Sequence, residues 1–351
     1  MSKFNIIDWD GEPVTKPGVY SNVPLDVYHS QTICDGPSVS SSGLRRVLER
    51  NGGSPAHFFD EWSGNPDCQD QADEKKHFIV GRAVHHLLLG ELGFAKAFCV
   101  RPDEVPDRVT GIMKPWQSNR LECRAWTADS LSPLGGLPPR EFDAWFQRSR
   151  PNGRAILTKD DIEDIKGMAL SIGLHPEVNI QYKPGRYYSL LNGQIEKSFF
   201  WRDKVTGLWL KARPDAIPTD SGDYADLKTT TSVSYFPLLR TITDLAYHQQ
   251  AAMIMDGSRQ CADIPMSSYT LVFVEKKRPY CVRPVPLDME DIQVGHAQNR
   301  IALDLVARCL KEKRWPGPGD ATITSIGLMP SYRADAKRDI DESRGGKEKV
   351  A

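Results

Sequence analysis

The apolar positions change period along the chain, and that change outlines its organisation. Leu44, Val47 and Leu48 recur at helical spacing just after Ser40, Ser41 and Ser42, which predicts a helix opening on a serine cap. The run FIVGRAVHHLLLGEL over 78–92 predicts a second, strongly apolar helix. A third starts at Thr158 and runs to about Gly173, with Ile162, Ile165 and Met168 on one side. From Tyr187 to about Thr230 the period falls to two. YYSLL, EKSFFWRD, GLWLKARPDAI and DYADLKTT are short runs separated by Asn-Gly, Thr-Gly and Ser-Gly pairs, and they predict an antiparallel meander. A helix ending at Gly257 follows, then strands at Ser268–Val274 and 280–287, then a long helix over 289–313.

Helices, a strand cluster, then helix, strands and helix imply a mixed α/β core with a helical N-terminal half. Residues 1–35 are rich in turn residues and read as a segment preceding one domain over 36–330. Residues 101–150, irregular and rich in Pro and Gly, read as a variable insertion. The stretch 331–351 has almost no apolar content and is expected to be disordered.

Composition narrows the function. Lys plus Arg (45) nearly cancels Asp plus Glu (46), for a net charge of -1, which excludes a polycation that binds nucleic acid by bulk charge. A local basic channel is compatible with that sum, with Lys211, Arg213, Lys276, Lys277 and Arg278 as its candidates. No window approaches the ~18 consecutive apolar residues of a membrane span, and the polar start does not suggest export. The seven cysteines are scattered without a C-x-x-C pair, so zinc-ribbon and iron–sulfur spacings are missing and free thiols in a reducing cytoplasm are expected. There is no phosphate-binding G-x-x-x-x-G-K-[ST] loop.

The segment that carries chemistry is Arg213-Pro-Asp215 followed by Asp226-Leu-Lys228. Asp226 and Lys228 are two apart, so on a strand both leave the same face. A hairpin could bring Asp215, eleven residues earlier, beside Asp226. Two adjoining carboxylates repel unless a cation lies between them. A divalent ion, its shell completed by waters and the Leu227 carbonyl, removes that repulsion and suits the oxygen preference of Mg²⁺, with Mn²⁺ as a substitute. Lys228 could then orient a water and stabilise charge on a phosphoryl transition state.

A surface ion pair explains an Asp-x-Lys spacing equally well. Four neighbours favour the catalytic reading. Glu196, in Q194-I-E196, is an acid inside an otherwise aromatic strand (SFFW) and needs a partner, and Arg213 shares a face with Asp215, where it could hold a phosphate. Tyr247, Gln250, Ala251 and Ile254 share one helix face. Gly81, one turn before His85, lets another element approach the histidine. Either His85 or the adjacent His86 could instead be an ordinary core histidine, and Tyr247 could be a packing residue. The tryptophans, Trp201 and Trp209 among them, read mainly as packing.

Taken in order, V39-S-S-S-S-G-L, S54-P-A-H57, G81-R-A-V-H85, the Glu196 strand, K211-A-R-P-D215, D226-L-K-T-T, Y247-H-Q-Q250, E275-K-K-R-P-Y280 and W315-P-G resemble the PD-(D/E)XK nuclease superfamily. Within it they resemble the prophage exodeoxyribonuclease VIII (RecE-type) group. That resemblance spans about residues 18–330 and implies a restriction-endonuclease-like core sheet flanked by helices. It implies a Mg²⁺-dependent exonuclease that digests one strand of linear duplex DNA, 5′ to 3′, leaving 3′ overhangs for a single-strand annealing recombinase (RecT/Bet-like). It also implies a homo-oligomer, with a ring as the form expected, in a bacterial cytoplasm, encoded by a phage or prophage. Asp215 and Asp226 would be metal ligands, Lys228 the catalytic lysine, His85 the metal-proximal histidine and Glu196 an accessory acid. Tyr247 and Gln250 would position the site and the substrate. Residues 101–150 match least. The rival readings are a structure- or single-strand-specific endonuclease and a non-catalytic DNA-binding recombination scaffold. The intact Asp215, Asp226 and Lys228 speak against the scaffold.

Overall fold

The computed structural model describes residues 5–68, 76–89, 93–128, 140–151, 153–184, 186–191, 193–218, 221–262, 265–320 and 327–348. The strand-rich region supplies two sheets, and the single predicted meander is corrected on this point. One sheet has the order Ile6–Asp8, Gly18–Ser21, Ser198–Arg202, Trp209–Ala212, Ser38–Ser40. The other has the order Gln194–Ile195, Ala216–Ile217, Asp223–Thr230, Ser268–Glu275, Val282–Pro286. Ser198–Arg202 and Trp209–Ala212 pair antiparallel in the first, Ala216–Ile217 and Asp223–Thr230 in the second. The chain crosses between them at Arg213-Pro214-Asp215, where proline has no N–H to extend a ladder. Arg186–Ser189 pairs with Asn179–Lys183 in a separate two-stranded sheet among the described residues.

The second sheet carries the site. Asp223–Thr230 lies parallel to Ser268–Glu275, with Asp226 opposite Leu271. Parallel neighbours require a crossover, and helices Tyr235–Asp244 and Tyr247–Cys261 supply it. Alternation places Tyr224, Asp226 and Lys228 on one face and Leu227 on the other. On the first face Tyr224, Tyr269, Leu271 and Phe273 pack with Ala251 and Ile254 of the crossover helix. On the second, Leu227, Val272 and Val274 pack with Val80 and Val84 of helix Lys76–Leu88 and with Ile165 and Met168 of helix Lys159–Leu174. A sheet covered on both faces needs near-continuous apolar strands, so the charges at Asp226 and Lys228 stand out against SYTLVFV next door.

Local signals place these helices. Thr158 and Asp161 form a reciprocal capping box on Lys159–Leu174, and the Ser54 hydroxyl accepts from the His57 N–H at the start of Pro55–Glu61. Ser40 occupies the cap position of Ser41–Val47, but its hydroxyl meets that of Ser42 at 2.9 Å and makes no capping bond. Trp201 and Trp209 are buried, as packing residues should be.

Helix Met289–Glu312 lies along the crossover helix with Gly295 at the closest approach, and a Cβ there would collide with the His248 carbonyl. Gly295→Ala is therefore expected to cost about 1–3 kcal/mol through overpacking. It should also displace the helix that carries Gln250, lowering both the denaturant midpoint and any activity of the site. An unchanged midpoint would show that the two backbones can separate freely.

The boundaries differ from those expected. Residues before 36 are woven into the first sheet, and Val14, Tyr20, Val23, Tyr28 and Ile33 form a core with Phe200 and Trp209. At the base of the 101–150 insertion, Phe98–Val100 and Ala155–Leu157 pair in parallel. Above it stand the hairpin Glu104–Pro106 with Met113–Pro115 and the helices Leu121–Thr127 and Arg140–Ser149. The tail read as disordered is helical over Pro330–Glu348. Its Ala, Lys, Arg and Glu content favours helix, although the side chains of 331–340 are almost all exposed. Among the described residues, no helix is long and apolar enough to cross a membrane.

Candidate active site

The hairpin between Ala216–Ile217 and Asp223–Thr230 brings Asp215 against the site strand, as its spacing suggested. Asp215 Oδ2 accepts from the Leu227 N–H at 2.6 Å, and its Oδ1 lies 3.3 Å from His85 Nδ1. His85 comes from the last turn of Lys76–Leu88. The choice between neighbouring histidines is thereby resolved by helical rotation: His86 turns away and meets the Phe98 ring edge-on at 5.2 Å. Gly81 faces Thr229 of the site strand, where a Cβ would meet Thr229 Oγ1 at 3.5 Å, an ordinary contact, so the approach does not demand glycine.

Asp226 and Lys228 form an ion pair on the same face of the strand. Gln250 Nε2 donates to Asp226 Oδ1 at 3.2 Å, and the Lys228 ammonium lies 5.2 Å from the centre of the Tyr247 ring. The shared face of Tyr247 and Gln250 thus points at the Asp226–Lys228 pair, because the helix that carries both packs on that side of the sheet.

The electrostatics follow from burial and neighbours. Burial alone would raise the Asp215 carboxyl, but His85, Lys228 and the Leu227 N–H outweigh it and hold that group below the usual carboxylate range. For Asp226, burial and then the charge of Asp215 prevail over Lys228 and push it up. Burial would lower His85, yet Asp215 outweighs it and lifts the imidazole to about 9. Lys228 is held above its ordinary value, since Asp226 and Asp215 overcome its desolvation. Two carboxylates, a lysine and an imidazole therefore share one buried charge system.

The donor atoms of His85, Glu196 and Asp215 all lie within 4.8 Å of one another. This group differs from the expected pair of Asp215 and Asp226 with the Leu227 carbonyl. Asp226 does not join it: its carboxylate is taken by Lys228 and Gln250, and it is 1% exposed against 26% for the Glu196 side chain. Glu196 enters because it is not within a strand, as its sequence context suggested, but on a left-handed turn at φ 55° beside Asp215. Two carboxylates and one imidazole, partly open to solvent, match the chemistry of a divalent-cation site with positions left for water.

The expected phosphate contact and basic channel are not built as foreseen. Arg213 is turned inward, bonded to Glu196 and to the Val23 carbonyl. Lys211 is 3% exposed, and its ammonium donates to the carbonyls of Tyr28 and Ser30 at 2.7 and 3.1 Å. Lys277 pairs with Asp164. Sequence reasoning also passed over Gln249, fully buried next to Gln250. Its amide accepts from Asn51 at 2.7 Å and donates to Asn299 at 3.0 Å, pinning the helix that supplies Tyr247 and Gln250. The Q-Q pair was the available signal, and its two roles separate only when the helix is docked.

Two carboxylates and a lysine on adjoining strands of a helix-flanked mixed sheet define a protein of the PD-(D/E)XK nuclease class. Residues 40–323 match the family model described as "PDDEXK-like domain of unknown function (DUF3799)", and the chain belongs to that family. Among solved structures it is similar to one from Eubacterium rectale that carries the name "Putative exonuclease", with a TM-score of 0.52 and 12% identity over 88% of this chain and 96% of that one. At that identity the likeness speaks for the fold. No curated protein matches the sequence.

Proposed function

We propose that this protein is a divalent-metal-dependent exodeoxyribonuclease that degrades linear duplex DNA, 5′ to 3′, leaving 3′ single-stranded overhangs. The observation that carries the reading is the placement of the His85, Glu196 and Asp215 donors beside the Asp226–Lys228 pair. His85, Glu196 and Asp215 would hold Mg²⁺ or Mn²⁺, with Asp226 adjoining them. Such an ion, when bound, lowers the pKa of a water and offsets charge on a phosphoryl oxygen.

The side chains account for the rest of the hydrolysis. The Lys228 ammonium orients the attacking water and neutralises charge as its oxygen bonds to phosphorus. The attacking water gives up a proton to solvent, the P–O ester bond breaks, and the leaving oxygen takes up a proton from solvent. Gln250 keeps Asp226 turned toward Lys228, and Tyr247 shields the lysine from bulk water on its ring side. The resemblance of the ordered motifs favours DNA ends as the substrate, and the fold shared with a protein named as an exonuclease is compatible with that reading. The same reading includes a ring-shaped homo-oligomer handing its product to a single-strand annealing recombinase in a bacterial cytoplasm.

The test is to incubate the protein with Mg²⁺ and equal amounts of linear and covalently closed circular duplex. Loss of the linear DNA alone, stopped by a chelator, is expected. Nicking or linearisation of the circle would replace the exonuclease by an endonuclease, and intact DNA in every lane would reject the nuclease reading. A strand labelled at its 5′ or its 3′ end separates the two directions by which label is released first.

A further inference from the structure

We infer that Arg213 is a positioning residue whose task is to hold Glu196 in the donor group, with Tyr28 and the Val23 carbonyl as its anchorage. This rests on the metal-site reading above and gives the buried guanidinium a purpose other than binding DNA.

Four observations converge on it. Arg213 Nε lies 2.8 Å from Glu196 Oε2 and donates to the Glu196 carbonyl at 3.2 Å, so a single guanidinium nitrogen faces both the side chain and the backbone of the same residue. Its Nη2 donates to the Val23 carbonyl at 3.1 Å, and its centre lies 5.6 Å from the middle of the Tyr28 ring, which is itself buried. Nη1 is buried with no hydrogen-bond partner among the described residues, and the side chain as a whole is 14% exposed, so the guanidinium is largely withdrawn from the surface. Glu196 needs the restraint because it sits at φ 55°, a conformation that side chains other than glycine rarely adopt.

The geometry explains why an arginine is suited here. A left-handed residue between the strands Gln194–Ile195 and Ser198–Arg202 would relax its backbone if left alone. The Glu196 N–H donates to the Asp215 carbonyl at 3.3 Å, which fixes one end of the turn to the residue carrying the next donor. Arg213, two residues before Asp215, fixes the other end. Nε and Nη2, held in one plane, reach Glu196 and the Val23 carbonyl at once, a spread that the single nitrogen of a lysine does not match. The N-terminal segment, tied in through Val23 and Tyr28, thereby takes part in shaping the donor group. Groups that orient a ligand are commonly worth ~10–100-fold in metal affinity.

The experiment titrates Mn²⁺ into the full chain by calorimetry or by loss of the free-ion paramagnetic resonance signal. It uses wild type, Arg213→Ala, Arg213→Lys, Glu196→Ala and the double variant, each checked for folding by circular dichroism and melting. Arg213→Ala should weaken Mn²⁺ binding by roughly tenfold. Arg213→Lys should recover part of that loss, since it retains the charge without the fork. In the Glu196→Ala background, Arg213→Ala should cause no further loss, because the residue it positions is gone. Wild-type affinity in Arg213→Ala, or an equal loss in both backgrounds, would overturn the inference. If Mn²⁺ binding shows this coupling while DNA stays uncut, the positioning role stands and the nuclease reading fails.

Discussion

Lys228→Ala is expected to lower the rate of DNA hydrolysis by on the order of 10²–10³, the usual cost of removing one preorganised group that stabilises transition-state charge. Its ammonium is paired with Asp226 and lies in the field of Asp215 as well. Its loss has two consequences in the same direction. The developing phosphoryl charge loses its cation, and Asp226, already pushed up by burial and by Asp215, loses the group that opposes that rise. Asp226 should then be protonated over more of the working pH range. Lys228→Arg should recover little, because Arg is a wide fork where a compact ammonium fits under the Tyr247 ring. Steady-state digestion of linear duplex with Mg²⁺ measures the effect, with the melting midpoint as a control for folding. Digestion by Lys228→Ala at the wild-type rate would remove this lysine from the mechanism.

Asp215→Asn should have a comparably large effect through metal binding. The substitution keeps an oxygen to accept from the Leu227 N–H, so the hairpin should survive, while the negative charge shared with His85 disappears. Mn²⁺ affinity is expected to fall by on the order of 100-fold or more, since a ligand is lost together with the charge that complements the ion. A second readout is available in the metal-free protein. His85 is held up to about 9 because Asp215 outweighs its burial. With the charge removed, burial prevails and the imidazole should titrate at lower pH than in wild type. Histidine resonances followed across a pH series would show the shift. A His85 titration unmoved by Asp215→Asn would mean that the two groups are not coupled as their 3.3 Å separation implies.

Much of the site could be read from the chain before folding because its parts are local. Asp226 and Lys228 share a face through strand alternation alone, and Tyr247 and Gln250 share one through helical periodicity. Asp215 lies one short hairpin away, so the sequence interval restricted where it could go. The buried apolar strand Ser268–Glu275 and the capping box at Thr158 were legible for the same reason: each depends on residues within a few positions of one another.

What needed the third dimension involved partners far apart in sequence or directions that no period encodes. His85 and His86 are adjacent letters, and only the docking of helix Lys76–Leu88 on the sheet decides which one meets Asp215. Glu196 looked like part of a strand, and its left-handed turn became visible only with Asp215 beside it. Arg213 and Lys211, which suggested a basic channel, turned inward because the N-terminal segment covers them with the carbonyls of Val23, Tyr28 and Ser30. The sequence by itself determined the chemical types present and the elements that carry them, since propensity and periodicity act over short range. Tertiary structure alone decided which acids converge on a cation and which bases are consumed in holding them, because a buried charge takes the partner that the packed fold leaves within reach.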